Sequence, residues 1–162
     1  MSELNFTVPT LDEGTSIKTV EILQLNLDIL NDLALTLKHA HWNVTGEAFI
    51  AVHEMLDPEI DDIRDGVDTI AERIATLGGS PNGLSTSLYQ TAKSSIPQYT
   101  ILVRGNTSQH LKAVDEQYMA VETIIRKSIA ELDDLDIISS NIMQDILGKM
   151  ELFQWKVRSH LI

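Results

Sequence analysis

Apolar residues recur along this chain at three- and four-residue intervals in four long blocks, the period of amphipathic helices. In the first block Ile17, Val20, Leu23, Leu27, Leu30, Ala34 and Leu37 share a face; Thr15 or Ser16 is placed to cap it, and it continues to about Val44. The second follows a break at Asn43-Val44-Thr45-Gly46, runs from about Ala48 to Leu77 and closes on Gly78-Gly79. A third, capped by Asn106, Thr107 or Ser108, reaches about Glu131. A fourth spans Asp136 or Ile137 to His160, with Ile138, Ile142, Ile146, Phe153 and Val157 towards the core. The one long connection, residues 78 to 105, carries an amphipathic patch at Leu84 to Ala92 suited to a short helix. Long helices joined by a short loop pack antiparallel, and a long crossover then starts the second pair. The expected fold is therefore all-α, a four-helix bundle with a short helix in its crossover. Residues 1–15 read as a tail and 16–162 as one bundle domain.

At about 100° per residue the second helix separates into two stripes. Val52, Leu56, Ile60, Ile63, Val67, Ile70, Ala71 and Ile74 fill an apolar arc, and beside it lie His53, Glu54, Asp57, Asp61, Asp68 and Glu72. A solvated face next to a core face is the ordinary account of such a stripe. Two details set this one apart: Lys and Arg do not alternate with the acids, and the stripe begins with a histidine. Imidazole with carboxylate is a donor set for divalent first-row metals such as iron, manganese or zinc. Asp57 and Asp68, eleven positions apart, are separated by about 16 Å along the axis, too far to hold one ion. Two copies packed antiparallel about a two-fold axis bring the start of one helix beside the end of the other. The spacing thus points to a metal site shared between subunits, with His41, His53 and Asp57 from one and Asp68 and Glu72, an i, i+4 pair, from its mate. Pro58 leaves two readings open: a kink inside a continuous helix, or a helix that begins there with Asp57 as its N-cap, which would occupy Asp57 in capping.

Composition narrows the function classes. There is no cysteine among the 162 residues, so neither a disulfide framework nor a thiolate metal site is available. No segment approaches the roughly twenty apolar residues of a membrane span, and the first fifteen residues lack Lys and Arg; a cytoplasmic protein is expected. A formal net charge of −12 repels nucleic acid unless basic groups cluster, and the nearest approach to a cluster is Lys156 with Arg158, better read as complementing a helix C-terminus. No Glu precedes a His by three residues, so the Glu-x-x-His pattern of a di-iron centre inside one bundle is missing. Trp42 is expected to pack at its helix end, and His39, on a different face from His41, to be solvated or interfacial. The acids from Glu131 to Asp136 read first as a capped, solvated turn.

The segments AHWNVTG, FIAVHEMLD and D-x-x-A-E-R-I-A-T-L-G-G, the last from Asp68 to Gly79, together resemble the Dps proteins, the ferritin-like mini-ferritins named as DNA-binding proteins from starved cells. HLKAVDEQY, IIRKSI and LFQWKVRSHL extend the resemblance over roughly residues 16 to 162. It implies a hollow twelve-subunit cage with tetrahedral symmetry that oxidises ferrous ion and stores ferric mineral, protecting against oxidative stress. The oxidant it implies is hydrogen peroxide, with dioxygen the other possibility. The family's intersubunit ferroxidase centre matches His41, His53, Asp57, Asp68 and Glu72, with Trp42 able to donate electrons. Mineral nucleation then falls to Glu54, Asp61 and Asp65, and ion-conducting three-fold pores to Asp133, Asp134 and Asp136. Many members hold DNA with a basic tail. This chain's N-terminal tail is acidic, so DNA compaction stands as the alternative role.

Overall fold

The first helix starts earlier than Thr15. In the computed structural model, which describes residues 4–162, α1 spans Glu13–Asn43 and its cap is Asp12, whose carboxylate accepts from the Thr15 amide at 3.0 Å. Thr15 is therefore the capped residue and not the cap. Leu23, Leu27, Leu30, Leu33 and Leu37 then run down the buried face, and each adds about 1.5–3 kcal/mol of apolar transfer free energy.

The second helix, α2, is continuous from Phe49 to Thr76 with Pro58 inside it. Pro58 and Glu54 lie on the solvent face, so the Glu54 carbonyl freed by the missing amide can meet water. Asp57 therefore lies in mid-helix and caps nothing. At the far end the chain turns at Gly78, φ +86°, where a Cβ would stand 2.0 Å from the Phe6 carbonyl oxygen. Only glycine admits the N-terminal segment there, and Asn5 hydrogen-bonds the Gly78 carbonyl at 2.8 Å.

The crossover carries the expected short helix, α3, at Ser85–Ser95. It is tied to α1 through Asp28, 2% exposed, whose carboxylate accepts from Thr91 at 2.7 Å and Ser87 at 3.3 Å. The crossover ends in a two-residue parallel ladder, β1 (Val44–Thr45) against β2 (Gly105–Asn106). That ladder joins the end of the connection to the loop between α1 and α2.

The third long helix, α4, is capped by Asn106 and spans Thr107–Leu135; α5 spans Ile137–Ser159. The acidic run is thus not a turn. Leu132 is fully buried and carries the helix through it, and Asp136 alone separates the two helices, as C-cap of one and N-cap of the other. On α5 the inward face is Met143, Ile146, Leu147, Met150, Phe153 and Val157, while Ile138 is 52% exposed. The methionines fill positions that the isoleucine spacing assigned elsewhere.

Candidate metal centre

Two histidines from consecutive helices meet at the α1–α2 corner. His41, on the last turn of α1, and His53, on the second turn of α2, stack with ring centroids 3.7 Å apart and planes 18° apart. His41 Nδ1 lies 2.8 Å from the His53 carbonyl oxygen and His53 Nδ1 lies 2.9 Å from that of His41. A carbonyl only accepts, so each Nδ1 carries a proton, and the neutral form of each ring has its lone pair on Nε2. This reciprocal arrangement fixes tautomer and ring orientation, as outer-shell partners do for metal-binding imidazoles. Phe49 packs against His53 at 5.0 Å.

Asp57 lies beside this pair. Its carboxylate pairs with the Lys38 ammonium and is 3.4 Å from His41 Nδ1, too long for a good hydrogen bond to a nitrogen already engaged with a carbonyl. The hydrogen bond from Lys38 holds the Asp57 carboxyl below the usual carboxylate range, against the opposing effect of burial. Sequence spacing missed Lys38, because nothing in a nineteen-residue separation marks it as a partner.

Asp68 and Glu72 are not brought to the same place. Both are exposed on the far half of α2, and neither makes a hydrogen bond or ion pair among the described residues. In keeping with the roughly 16 Å rise between Asp57 and Asp68, no three His, Asp or Glu side chains among the described residues of one chain are arranged to hold a metal. The chain brings together His41, His53 and Asp57 and leaves the second pair apart, on the same helix.

Trp42 is 64% exposed, so it does not pack within its own subunit. Of the acids expected to nucleate mineral, Glu54, Asp61 and Asp65 are exposed, and Asp61 has only a 3.8 Å approach from Arg64. Of the expected pore acids, Asp134 is exposed, Asp133 accepts from the Ser140 hydroxyl, and Asp136 is spent inside the fold. Asp136 accepts from Arg73 at 2.7 Å and from Ser139. Burial pushes its carboxyl up, but those partners more than offset the burial and leave it below the ordinary range. An acid committed to a helix cap and to a half-buried guanidinium is not available to line a pore.

Lys156 and Arg158 also have definite partners: Lys156 lies 3.5 Å from the fully buried Glu59, and Arg158 bonds Asp115 at 2.7 Å. His39 Nε2 donates to the Ile101 carbonyl oxygen, 2.8 Å away.

Comparison with known proteins adds to this geometry. The family description of a ferritin-like domain matches residues 20–162. The DNA protection during starvation protein of Mycolicibacterium smegmatis is 43% identical over 97% of this chain and 84% of its own length. The fine tangled pili major subunit of Haemophilus ducreyi is 46% identical over 96% of this chain and 80% of its own length. The solved structure of Mycobacterium smegmatis Dps in its tetragonal form superposes with a TM-score of 0.92 at 43% identity, covering 96% of this chain and 94% of that one.

Proposed function

The chain belongs to the Dps family of ferritin-like proteins, and from that premise we propose that it is a ferroxidase and iron store, a closed twelve-subunit cage of the cytoplasm that oxidises ferrous ion at sites between subunits. One observation carries the reading: the reciprocal His41–His53 bonds that commit both Nδ1 atoms and keep both Nε2 lone pairs for a cation. Asp68 and Glu72, exposed and unengaged on the same helix, supply the remaining carboxylates from a partner subunit across a two-fold axis. Imidazole and carboxylate together suit ferrous ion without thiolates.

Hydrogen peroxide is the oxidant we assign. Two ferrous ions each lose one electron, the O–O bond takes up both electrons with two protons, and two waters leave. No hydroxyl radical is released in that stoichiometry, so DNA is protected without being touched, consistent with the words in the relative's name. Asp57 joins the ligands by exchanging its Lys38 partner for iron. The exposed Trp42 next to His41 is placed to donate an electron when an oxidising equivalent is left over. Ferric product then accumulates on exposed carboxylates such as Glu54, Asp61 and Asp65, and Asp133 and Asp134 are the remaining candidates for a pore.

The net charge of −12 disfavours DNA binding as the main role, and a mobility-shift titration at about 0.1 M salt checks it. The pilus name of one relative points instead to an open polymer, which electron microscopy distinguishes from a closed shell. The direct test is anaerobic loading with ferrous ion followed by peroxide. Wild type should consume about one peroxide per two ions, and the His41→Ala/Asp68→Ala double variant should oxidise no faster than buffer.

A further inference from the structure

A second histidine centre lies under the crossover, apart from the metal site. His110, on the first turn of α4, is fully buried, and its Nδ1 is 2.6 Å from the Tyr99 hydroxyl. Its Nε2 has no hydrogen-bond partner of good geometry and lies so close to β2 that a Cβ on Gly105 would approach it to 3.2 Å. The titratable groups that face it are Tyr99 from the crossover and His39 from α1, whose ring stands edge-on to Tyr99 at 5.9 Å. The segment these groups clamp runs straight to the iron corner. Gly105 pairs with Val44, the Thr45 hydroxyl donates to the Gly105 carbonyl at 2.9 Å, and His39 holds the Ile101 carbonyl. Only Asn43 separates Val44 and Thr45 from His41 and Trp42.

We infer that the Tyr99–His110 hydrogen bond is an acid-sensitive latch, which seats the end of the crossover on β1 and thereby positions the last turn of α1, with His41, for iron binding. His110 and Tyr99 touch no iron; both are positioning residues. Tyr99 can serve either ring form, donating to a bare Nδ1 or accepting from Nδ1–H, but a charged ring would also carry a buried Nε2–H with no acceptor of good geometry, and among the described residues no carboxylate pairs with it. Burial pushes His110 below the usual imidazole range, against the Val103 carbonyl and with His39. The latch is therefore complete above the ordinary imidazole value of about 6.5 and weakens as pH falls below it.

The link to iron rests on the proposed function, but the latch has a readout of its own. In a Trp155→Phe background Trp42 is the only tryptophan, two residues before the ladder. Iron-free full-length protein is titrated from about pH 8 to about pH 4.5, with far-UV circular dichroism recorded alongside. Trp42 emission should move in one step while helix content stays constant. His110→Asn keeps an acceptor for Tyr99 and cannot titrate, so the step should vanish. Tyr99→Phe removes the bond in either charge state, so the crossover end should be unseated already at about pH 8 and Trp42 emission should stand there near the parent's acid value. Should His110→Asn not fold, the Tyr99→Phe emission decides alone. No step in the parent, a step of full size that survives in His110→Asn and so belongs to His41 and His53, or a Tyr99→Phe emission equal to the parent's at about pH 8, overturns the latch. In iron-loaded protein His110→Asn should retain oxidation at acid pH better than the parent. A parent that oxidises no iron even at neutral pH would refute the functional reading and leave the latch to the fluorescence result.

Discussion

On the outward face of α2, Asp68 and Glu72 stand in solvent and bind nothing among the described residues, whereas the next residue, Arg73, reaches into the bundle to a 6%-exposed Asp136 carboxylate. Across the helix from the acidic stripe, Glu59 is fully buried, accepts from Tyr118 at 3.0 Å and is pushed up to about 7, chiefly by burial. Glu122 in the same interior is likewise raised to about 7, by burial and by Glu151. One residue type thus serves two ends. Interior acids hold a proton or pair with a cation inside the fold, while the outer ones are left with vacant lone pairs that a cation can use. A count of acids cannot separate the two groups; their burial can.

Substitutions on the two sides should therefore fail differently. Asp68→Ala with Glu72→Ala should slow peroxide-driven ferrous oxidation by about a hundredfold, or about 2.7 kcal/mol of barrier, measured by stopped-flow absorbance. Being exposed, the same pair should change unfolding free energy by only about 0.5 kcal/mol. If both quantities fell together, the outer face would be structural and the contrast would be lost. Arg73→Met should do the reverse. It strands Asp136 and should cost about 3 kcal/mol in denaturant melts, with oxidation per folded cage unchanged.

Glu122→Gln sharpens the interior half of the contrast through pH. The folded carboxyl titrates near 7 and the unfolded one near 4.3, so the native state holds the proton longer and loses relative stability as pH rises between those values. The variant should be more stable than wild type by about 1–3 kcal/mol above pH 7 and equal to it near pH 4, read from paired urea melts. Lys38→Met should have the smallest effect. Its ion pair is partly exposed, so the loss should be about 0.5 kcal/mol at neutral pH and should disappear as pH falls through the depressed Asp57 value.

The helices and the distance that keeps Asp68 and Glu72 away from His53 and Asp57 were legible because both depend on local spacing. A period of 3.6 finds a buried helix face, and eleven positions fix the distance from Asp57 to Asp68 whatever the helix packs against. Where several local signals competed, the reading went astray. Asp12 outcompeted Thr15 as cap although Gly14 weakens the first turn. Pro58 was absorbed because its freed carbonyl faces water. The acids after Glu131 looked like a turn until Leu132 proved to need the helix for its burial. Contacts between distant segments left no local trace: Lys38 with Asp57, Arg73 with Asp136, and Tyr99 and His39 around His110 are set by tertiary packing. Trp42, expected to pack at its helix end, is instead 64% exposed within its own subunit, and no local spacing marks that difference.

The claim that the iron site is built by two subunits is tested most directly by complementation. One subunit would carry His41→Ala and His53→Ala, the other Asp68→Ala and Glu72→Ala, each inactive when assembled alone. Co-assembled at random in equal amounts, half of the two-fold pairs are mixed, and each mixed pair regains one complete site of its two. The account predicts recovery of about a quarter of the wild-type oxidation rate. Mixed cages no more active than either parent would contradict it.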